Sequence, residues 1–215
     1  TIRDRQTTTY ELRLLSPDRG RNNYTYALGL YYKSLTESDE MSGWIFNGDV
    51  DQFDGEFNIS NLALYGNLAL LFNQGLGLDL SARGEIVSLA YAATSLKDLD
   101  YDGGYETSYI SSVDDMIDPR LGLKGVIYYD ITEADRVFAS ASRGYKAGGV
   151  NQNPFISDEN QYYDPEQNIS FELGYKSFKE KSSYQATFFN MLRENLQVND
   201  SAQQDTGNPN SFYYF

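Results

Sequence analysis

The sequence contains no cysteine and no histidine. Without cysteine there is no disulfide framework and no thiolate metal site. Without histidine there is no imidazole general base, no Ser-His-Asp triad and no zinc site of the commonest kind. Cations are also scarce, with 17 Lys and Arg against 31 Asp and Glu, a formal net charge of −14. That balance excludes a nucleic-acid partner and a polybasic membrane-surface protein. No apolar run approaches the ~18 residues of a transmembrane helix. The most apolar stretch, Leu62 to Phe72, is broken by Gly66 and Asn67. Thr1-Ile-Arg-Asp is not the start of a signal peptide, so the expectation is a removed leader or a chain that begins inside a larger protein. No nucleophile elbow, phosphate loop or zinc motif is found, and no enzymatic activity is expected.

What is present is a large set of aromatics, 19 Tyr and 12 Phe against one Trp, and a period of two. Tyr10, Leu12 and Leu14 alternate with Glu11 and Arg13. Tyr24, Tyr26, Leu28, Leu30 and Tyr32 alternate with Thr25, Ala27, Gly29 and Lys33. The same alternation recurs over 62–72, 76–86, 121–131, 136–146, 169–178 and from Tyr184 onward, with Phe212-Tyr-Tyr-Phe as the start of a ninth strand. One face of these strands is Leu, Tyr and Phe, and the other mixes Asp, Glu, Arg, Lys, Ser and Gly. Connections alternate short and long. The long ones are acidic or polar: 36–58, about 91–118, 147–168 and 199–211. This rhythm predicts an all-β, antiparallel, up-and-down transmembrane barrel wall with short periplasmic turns and long external loops. A polar inner face requires water or a plug inside it. The Tyr31-Tyr32 and Tyr128-Tyr129 pairs lie where aromatic girdles sit.

The segment Arg136 to Asn151, RVFASASRGYKAGGVN, is a strand running into a glycine-freed loop. It resembles the Y-x-S-x-S-R-G-F/Y-K-S/A-G-G-F/V-N segment of TonB-dependent outer-membrane receptors. Pro119-Arg-Leu-Gly-Leu123 is similar to that family's PRLGL strand. Tyr163-Asp-Pro-Glu166 with Phe171-Glu-Leu-Gly-Tyr-Lys-Ser177 is similar to its F-D-P-E…Y-E-L-G-x-K-S strand. Thr9 to Pro17 and Ala27 to Tyr32 are weaker matches to an earlier part of the same barrel. The resemblance implies an N-terminal plug within a barrel of about 22 strands. It also implies import of siderophore–iron, haem, cobalamin or carbohydrate with energy relayed by the TonB complex to the plug. Residues 1–215 are then expected to be a partial barrel domain of about eight or nine strands, without plug or TonB box. Its partners would be outer-membrane lipid, the TonB complex through the parent protein's plug, and a small ligand such as siderophore–iron. Two other readings stand beside it. One is a complete small outer-membrane barrel serving as anchor or adhesin, its closing Phe215 with Tyr213 resembling a barrel-assembly signal. The other is a soluble, lectin-like, calcium-dependent β domain.

Candidate sites are few. Arg143, Tyr145 and Lys146 sit where a strand emerges into a loop, suited to an anionic ligand or to the plug, or simply to wall packing. Asn151 with Gln152-Asn153-Pro154, and Tyr162 with Tyr163, are candidates to line a ligand vestibule. Asp98, Asp100 and Asp102 followed by Gly103 match the first half of a D-x-D-x-D-G calcium loop, with Glu106 at the ninth position in place of the missing bidentate Glu. The alternative for this stretch is a solvated acidic loop. No other cofactor is expected. The acidic loops could bridge to lipopolysaccharide through divalent cations. Asp49 to Glu56 has carboxylates at a spacing that does not fit a calcium loop, and the Asp114-Asp115 pair has nothing nearby to complete an acid–base site.

Overall fold

The computed structural model describes residues 1–17, 23–45, 48–72, 75–151, 162–198, 201–203 and 212–214, the side chains of 109, 111, 113–115, 202–203 and 212–214 excepted. These form strands β1 (Ile2–Leu15), β2 (Tyr24–Ile45), β3 (Val50–Leu71), β4 (Leu76–Lys97), β5 (Glu106–Asp130), β6 (Asp135–Lys146), β7 (Gly149–Val150), β8 (Tyr162–Tyr163), β9 (Glu166–Lys179), β10 (Ser182–Glu194), β11 (Ser201–Gln203) and β12 (Phe212–Tyr214). Eight of them make one sheet in the order β1-β2-β3-β4-β5-β6-β9-β10. Every pair is antiparallel between sequence neighbours of the sheet, as an up-and-down wall requires. β1 and β10 do not pair with each other, so the sheet is open rather than a closed small barrel. Phe212–Tyr214 is a strand, as expected, but it pairs with Ser201–Gln203 in a separate ribbon and not with β10.

The two faces follow from the register. Leu14, Leu28, Gly66, Ala82 and Leu123 align across the strands on one face. Arg13, Gly29, Tyr65, Arg83 and Gly122 align on the other. The first face exposes Leu12, Leu28, Leu30, Leu62, Leu64, Leu80, Leu123, Ile127 and Leu173, which no water-soluble sheet would leave uncovered. Tyr10 and Tyr32 stack at its external edge, ring centroids 6.4 Å apart. Tyr24, Tyr129, Tyr175 and Tyr184 lie exposed at its short-turn edge. This is a lipid-facing band between two aromatic girdles. Of each sequence pair only Tyr32 and Tyr129 belong to the girdles. Tyr31 and Tyr128 face inward, and Tyr128 is buried beneath the Arg136 guanidinium, 3.9 Å from its ring centroid.

A membrane strand needs ~9–11 residues. β2, β3 and β4 have 22 each and β5 has 25. The surplus continues beyond the external girdle as paired strand, so most of the expected loops 36–58 and 91–118 are ladder and not loop. Of their acidic residues, Glu40, Asp54 and Glu56 alternate to the outward, solvated side, while Glu37 and Asp39 are buried on the inward one. Meanwhile the apolar residues change face. Leu62, Leu64, Leu68 and Leu70 point outward, but Phe53, Phe57 and Ile59 of the same strand point inward. On β4, Leu76, Leu78, Leu80 and Ile86 point out, and Val87, Leu89 and Tyr91 point in. No slip of register separates the two regimes within β2–β3 or β3–β4. The bulges between Ser42 and Ile45, Leu89 and Tyr91, and Ser95 and Leu96 lie farther out.

The short turns are held by side chains as well as backbone. Thr132 Oγ1 accepts from the Ala134 and Asp135 amides, 3.1 Å each, and donates to the Asp135 carboxylate at 2.7 Å. The Tyr175 hydroxyl donates to the other Asp135 oxygen at 2.6 Å. Asp135 belongs to this turn, outside the lipid band. The Tyr175 hydroxyl, with Thr132, holds its pKa down to about 2 against an ordinary 3.8. The folded pKa lies below the unfolded one, so the carboxylate stabilises the hairpin above pH ~4, and that stabilisation is lost as pH falls through about 2. Asp135→Asn in the full-length receptor is expected to reduce stability at pH 7 while flattening the acid limb between pH ~4 and ~2. An unaltered acid limb in pH-dependent unfolding would count against the clamp. Face assignment has its own test. Leu68→Arg, on the lipid side, should cost about 2–4 kcal/mol in denaturant unfolding from lipid vesicles. Ala69→Arg, inward beside Asp79, should stay within about 1 kcal/mol.

Candidate functional site

The inward face divides into three levels. Nearest the short turns, a cavity of about 760 Å³ is lined by Lys124, Arg136, Phe138, Glu172 and Lys176 among others. Arg136 pairs with Asp130 at 2.5 Å, and the Lys176 ammonium stands over the Phe138 ring at 5.0 Å.

The middle level is a network of charged and tyrosine side chains. The Tyr65 hydroxyl donates to Glu11 at 2.5 Å, and Arg13 pairs with the same carboxylate at 2.6 Å. The far end of the Tyr65 ring lies over Gly29, where a Cβ would overlap its Cζ, so a larger residue there would have to push Tyr65 aside. Arg83 pairs with Glu85 at 2.6 Å and lies over the Tyr31 ring at 5.4 Å. Arg120, nearly buried, pairs with Asp118, donates to the Lys146 carbonyl at 3.0 Å and covers the Tyr145 ring at 5.7 Å. These residues partly bound a cavity of about 700 Å³.

At the external level the inward face is apolar. Val50, Phe53, Leu89, Tyr91, Ala93 and Val150 form a buried cluster, with Met41, Phe57, Ile59 and Met116 packed against it. Phe57 and Tyr91 meet edge-on at 6.3 Å. Val150 belongs to β7, which pairs with β8 as a two-strand ribbon. The ribbon therefore reaches in from the β6–β9 connection and rests on the cluster. Asp39 is bound by two of the guanidinium nitrogens of Arg3, Nε at 2.6 Å and Nη2 at 2.9 Å, and Glu37 pairs with Arg5. Asp39, first through the hydrogen bond and then through its charge, raises the Arg3 pKa above its ordinary value.

The sequence candidates distribute over both faces. Tyr145 enters the middle network, near Arg83 and Glu85. Lys146 is exposed at the external end of β6, paired across the sheet with Glu166. Asn151 follows the buried Val150, and Tyr162 is exposed on β8. Gln152 to Pro154 and Phe215 lie outside the described residues. Arg143 does not join the others: it aligns with Leu123 and Ile169 on the outward face. The carboxylate oxygens of Asp98, Asp100 and Asp102 lie within 4.8 Å of one another, a donor set suited to a hard cation such as calcium. Asp98 accepts the Gly103 amide at 3.1 Å and Asp102 accepts the Gly104 amide at 2.7 Å. Tyr101 and Gly103 supply the left-handed backbone of the turn, at φ 59 and 88. Glu106 is not part of the group; it begins β5, opposite Lys97. The inward apolar cluster was not among the sequence candidates. Its signal is the change of phase between Phe57-Ile59 and Leu62-Leu64.

Residues 2–215 match the model of the family described as TonB dependent receptor-like, beta-barrel. The chain belongs to the TonB-dependent receptors. This places it in the bacterial outer membrane. Solved receptors of similar fold are the ferric yersiniabactin uptake receptor FyuA from Yersinia pestis (17% identity, TM-score 0.73, covering 93% of this chain and 31% of that one), the ferric-catecholate import receptor Fiu from K12 E. coli (12%, 0.59, 99% and 33%), and the alcaligin outer membrane receptor FauA from Bordetella pertussis (14%, 0.51, 99% and 33%). The chain thus spans about a third of the length of these receptors. No relative is found among curated protein sequences.

In a TonB-dependent receptor wall built this way, the ribbon is held by Val150. Val150→Asp buries an unpaired carboxylate against Phe53 and Leu89. It should speed amide exchange at Gly149–Val150 and Tyr162–Tyr163 at least about tenfold in the full-length receptor, leaving β2–β3 protection unchanged. Equal protection in wild type and variant would mean that the ribbon is held by something else.

Proposed function

We propose that this wall belongs to a receptor that imports a ferric siderophore, with energy relayed by the TonB complex to a plug seated against the inward face. The observation that carries the proposal is that face itself. It is charged and hydroxylated through the membrane-spanning level, with cavities of about 760 and 700 Å³, where a sealed barrel would have apolar packing. A wet lumen of this kind fits a passage occupied by a removable plug. The three receptors of similar fold, named for yersiniabactin, catecholate and alcaligin, make an iron-chelate cargo the leading class for this chain. In this reading residues 1–215 are one part of the barrel domain, and the plug is supplied by the rest of the parent protein.

Within the described residues, Lys146 and Tyr162 are the ligand-facing candidates. Both are exposed at the external end of the inward face, one cationic and one aromatic, and siderophore complexes commonly offer anionic oxygen and ring surface to such groups. Asn151 would contribute amide hydrogen bonding beside them. Tyr145, packed under Arg120, positions the wall instead of meeting ligand.

Growth rescue of an iron-starved, receptor-deficient host by the full-length gene, tested with catecholate, hydroxamate and carboxylate chelates, is the direct experiment. At least one ferric chelate should support uptake, and deletion of TonB should abolish it. Lys146→Ala combined with Tyr162→Ala should weaken binding of that chelate by about tenfold or more. Rescue by none of the three chelate classes, or uptake that persists without TonB, would overturn the proposal.

A further inference from the structure

Small side chains meet in the middle of the lipid-facing band. Gly66 is opposite Ala82, and Gly125 is opposite Ala141. Leu28, Leu68, Leu80, Leu123, Ile169 and Phe171 stand around them, and together they bound a groove of about 810 Å³. Two cations are among the residues around it: Lys124 aligns with Ser81 and Ser142 on the inward face, which leaves Arg143 as the cation of the outward side. Arg143 is eight residues along β6 from Asp135, which is ~27 Å of strand and ~20 Å of height at the usual tilt. That puts it at the external edge of the band.

Its guanidinium is not neutralised. It donates to the Gln167 amide oxygen at 2.8 Å and makes no ion pair among the described residues. Its cross-strand neighbours on this face are Leu123 and Ile169. Above the band, the outward face of β1–β4 carries Asp4, Glu40, Asp54 and Glu56, and no Lys or Arg among the described residues. An anionic lipid headgroup approaching this wall is therefore repelled above the band and attracted at Arg143. An apolar groove with a guanidinium at its headgroup end matches one kind of partner. The planar donor fork suits phosphate, and buried methylenes contribute ~0.8 kcal/mol each.

We propose that this groove seats an acyl chain of a phosphorylated, multiply acylated lipid of the outer leaflet, its phosphate held by Arg143. Gly125 offers an independent handle. A Cβ there would meet Leu80 Cδ2 at 3.6 Å, ordinary contact, so a larger side chain fills the groove without disturbing the ladder.

The test uses the full-length receptor in detergent, with bound lipid read by native mass spectrometry while bis-phosphorylated lipid A or its dephosphorylated form is titrated in. Wild type should prefer the phosphorylated lipid. Arg143→Gln should lose about tenfold in affinity for that form alone, the worth of one charge-assisted contact. Gly125→Leu should weaken both forms. The proposal falls if both variants bind lipid A as wild type does. Should either variant fail to assemble, the wild-type comparison decides: equal affinity for the two lipids, or for lipid A and a zwitterionic phospholipid, overturns it.

Discussion

A backbone that crosses hydrocarbon has no water to satisfy its amides, and that constraint organises this chain. Each unpaired N–H or C=O in lipid costs several kcal/mol, so every strand at that depth must be laddered on both sides. The sheet meets the condition from β2 to β9 with an uninterrupted antiparallel register through the band. Once the ladder is fixed, the period of two leaves each residue only a choice of face. Leu, Tyr and Ile go to lipid. The charged and hydroxyl side chains go inward, where they are satisfied by one another, as Glu11 is by Arg13 and Tyr65 and Glu85 is by Arg83.

The same constraint explains the change of face beyond the girdle. Above Tyr32 and Leu62 there is water on the outside, so the hydrophobic effect no longer rewards outward Leu. The inward side then becomes the place to hide apolar area, because Phe53, Leu89 and Tyr91 can cover one another across adjacent strands and be covered by Val150. Backbone pairing continues unchanged through the transition, since it depends on neither solvent. A long strand can therefore be amphipathic in opposite senses at its two ends, and one register serves both.

Much of this was legible in the sequence. Alternation located all eight strands of the sheet at the lipid band, and the SRGYKAGG, PRLGL and ELGYKS segments fixed the family. What escaped was the external half of the strands. Asp39, Glu40, Asp54 and Glu56 read as loop because strands rarely carry so many carboxylates. Only the cross-strand partners show that Asp39 sits inward on the Arg3 guanidinium of β1, 36 positions earlier in the chain. Arg143 and Tyr145 share parity in sequence and pairing, yet Tyr145 contacts Arg120 on the inward side while Arg143 stays outside. The ladder with β5 ends at Arg143 while that with β9 runs on to Lys146, and the Tyr145 ring reaches over Gly122 on the inward side; no local sequence signal marks where a ladder ends. Of the calcium-loop pattern, the three aspartates at alternate positions came together, because Gly103 and the left-handed Tyr101 fold them onto the same side, while Glu106 was claimed by strand pairing.

The distribution of charge gives the wall a direction. Most of its described arginines are committed: Arg3, Arg5, Arg13, Arg83, Arg120 and Arg136 each hold a carboxylate. With 31 acidic residues against 17 basic ones, the surplus is necessarily negative, and it accumulates where water can solvate it, on the external extensions. A polyanionic rim of this kind repels an anionic ligand at long range, with a reach of ~8 Å at physiological salt. Capture then depends on short-range contacts inside that distance. In the proposed reading, the aromatic surface of Tyr162 and the exposed amine of Lys146 are the groups that would operate there. For the anionic ligand proposed, this charge distribution favours binding by fit at the mouth over electrostatic attraction from afar.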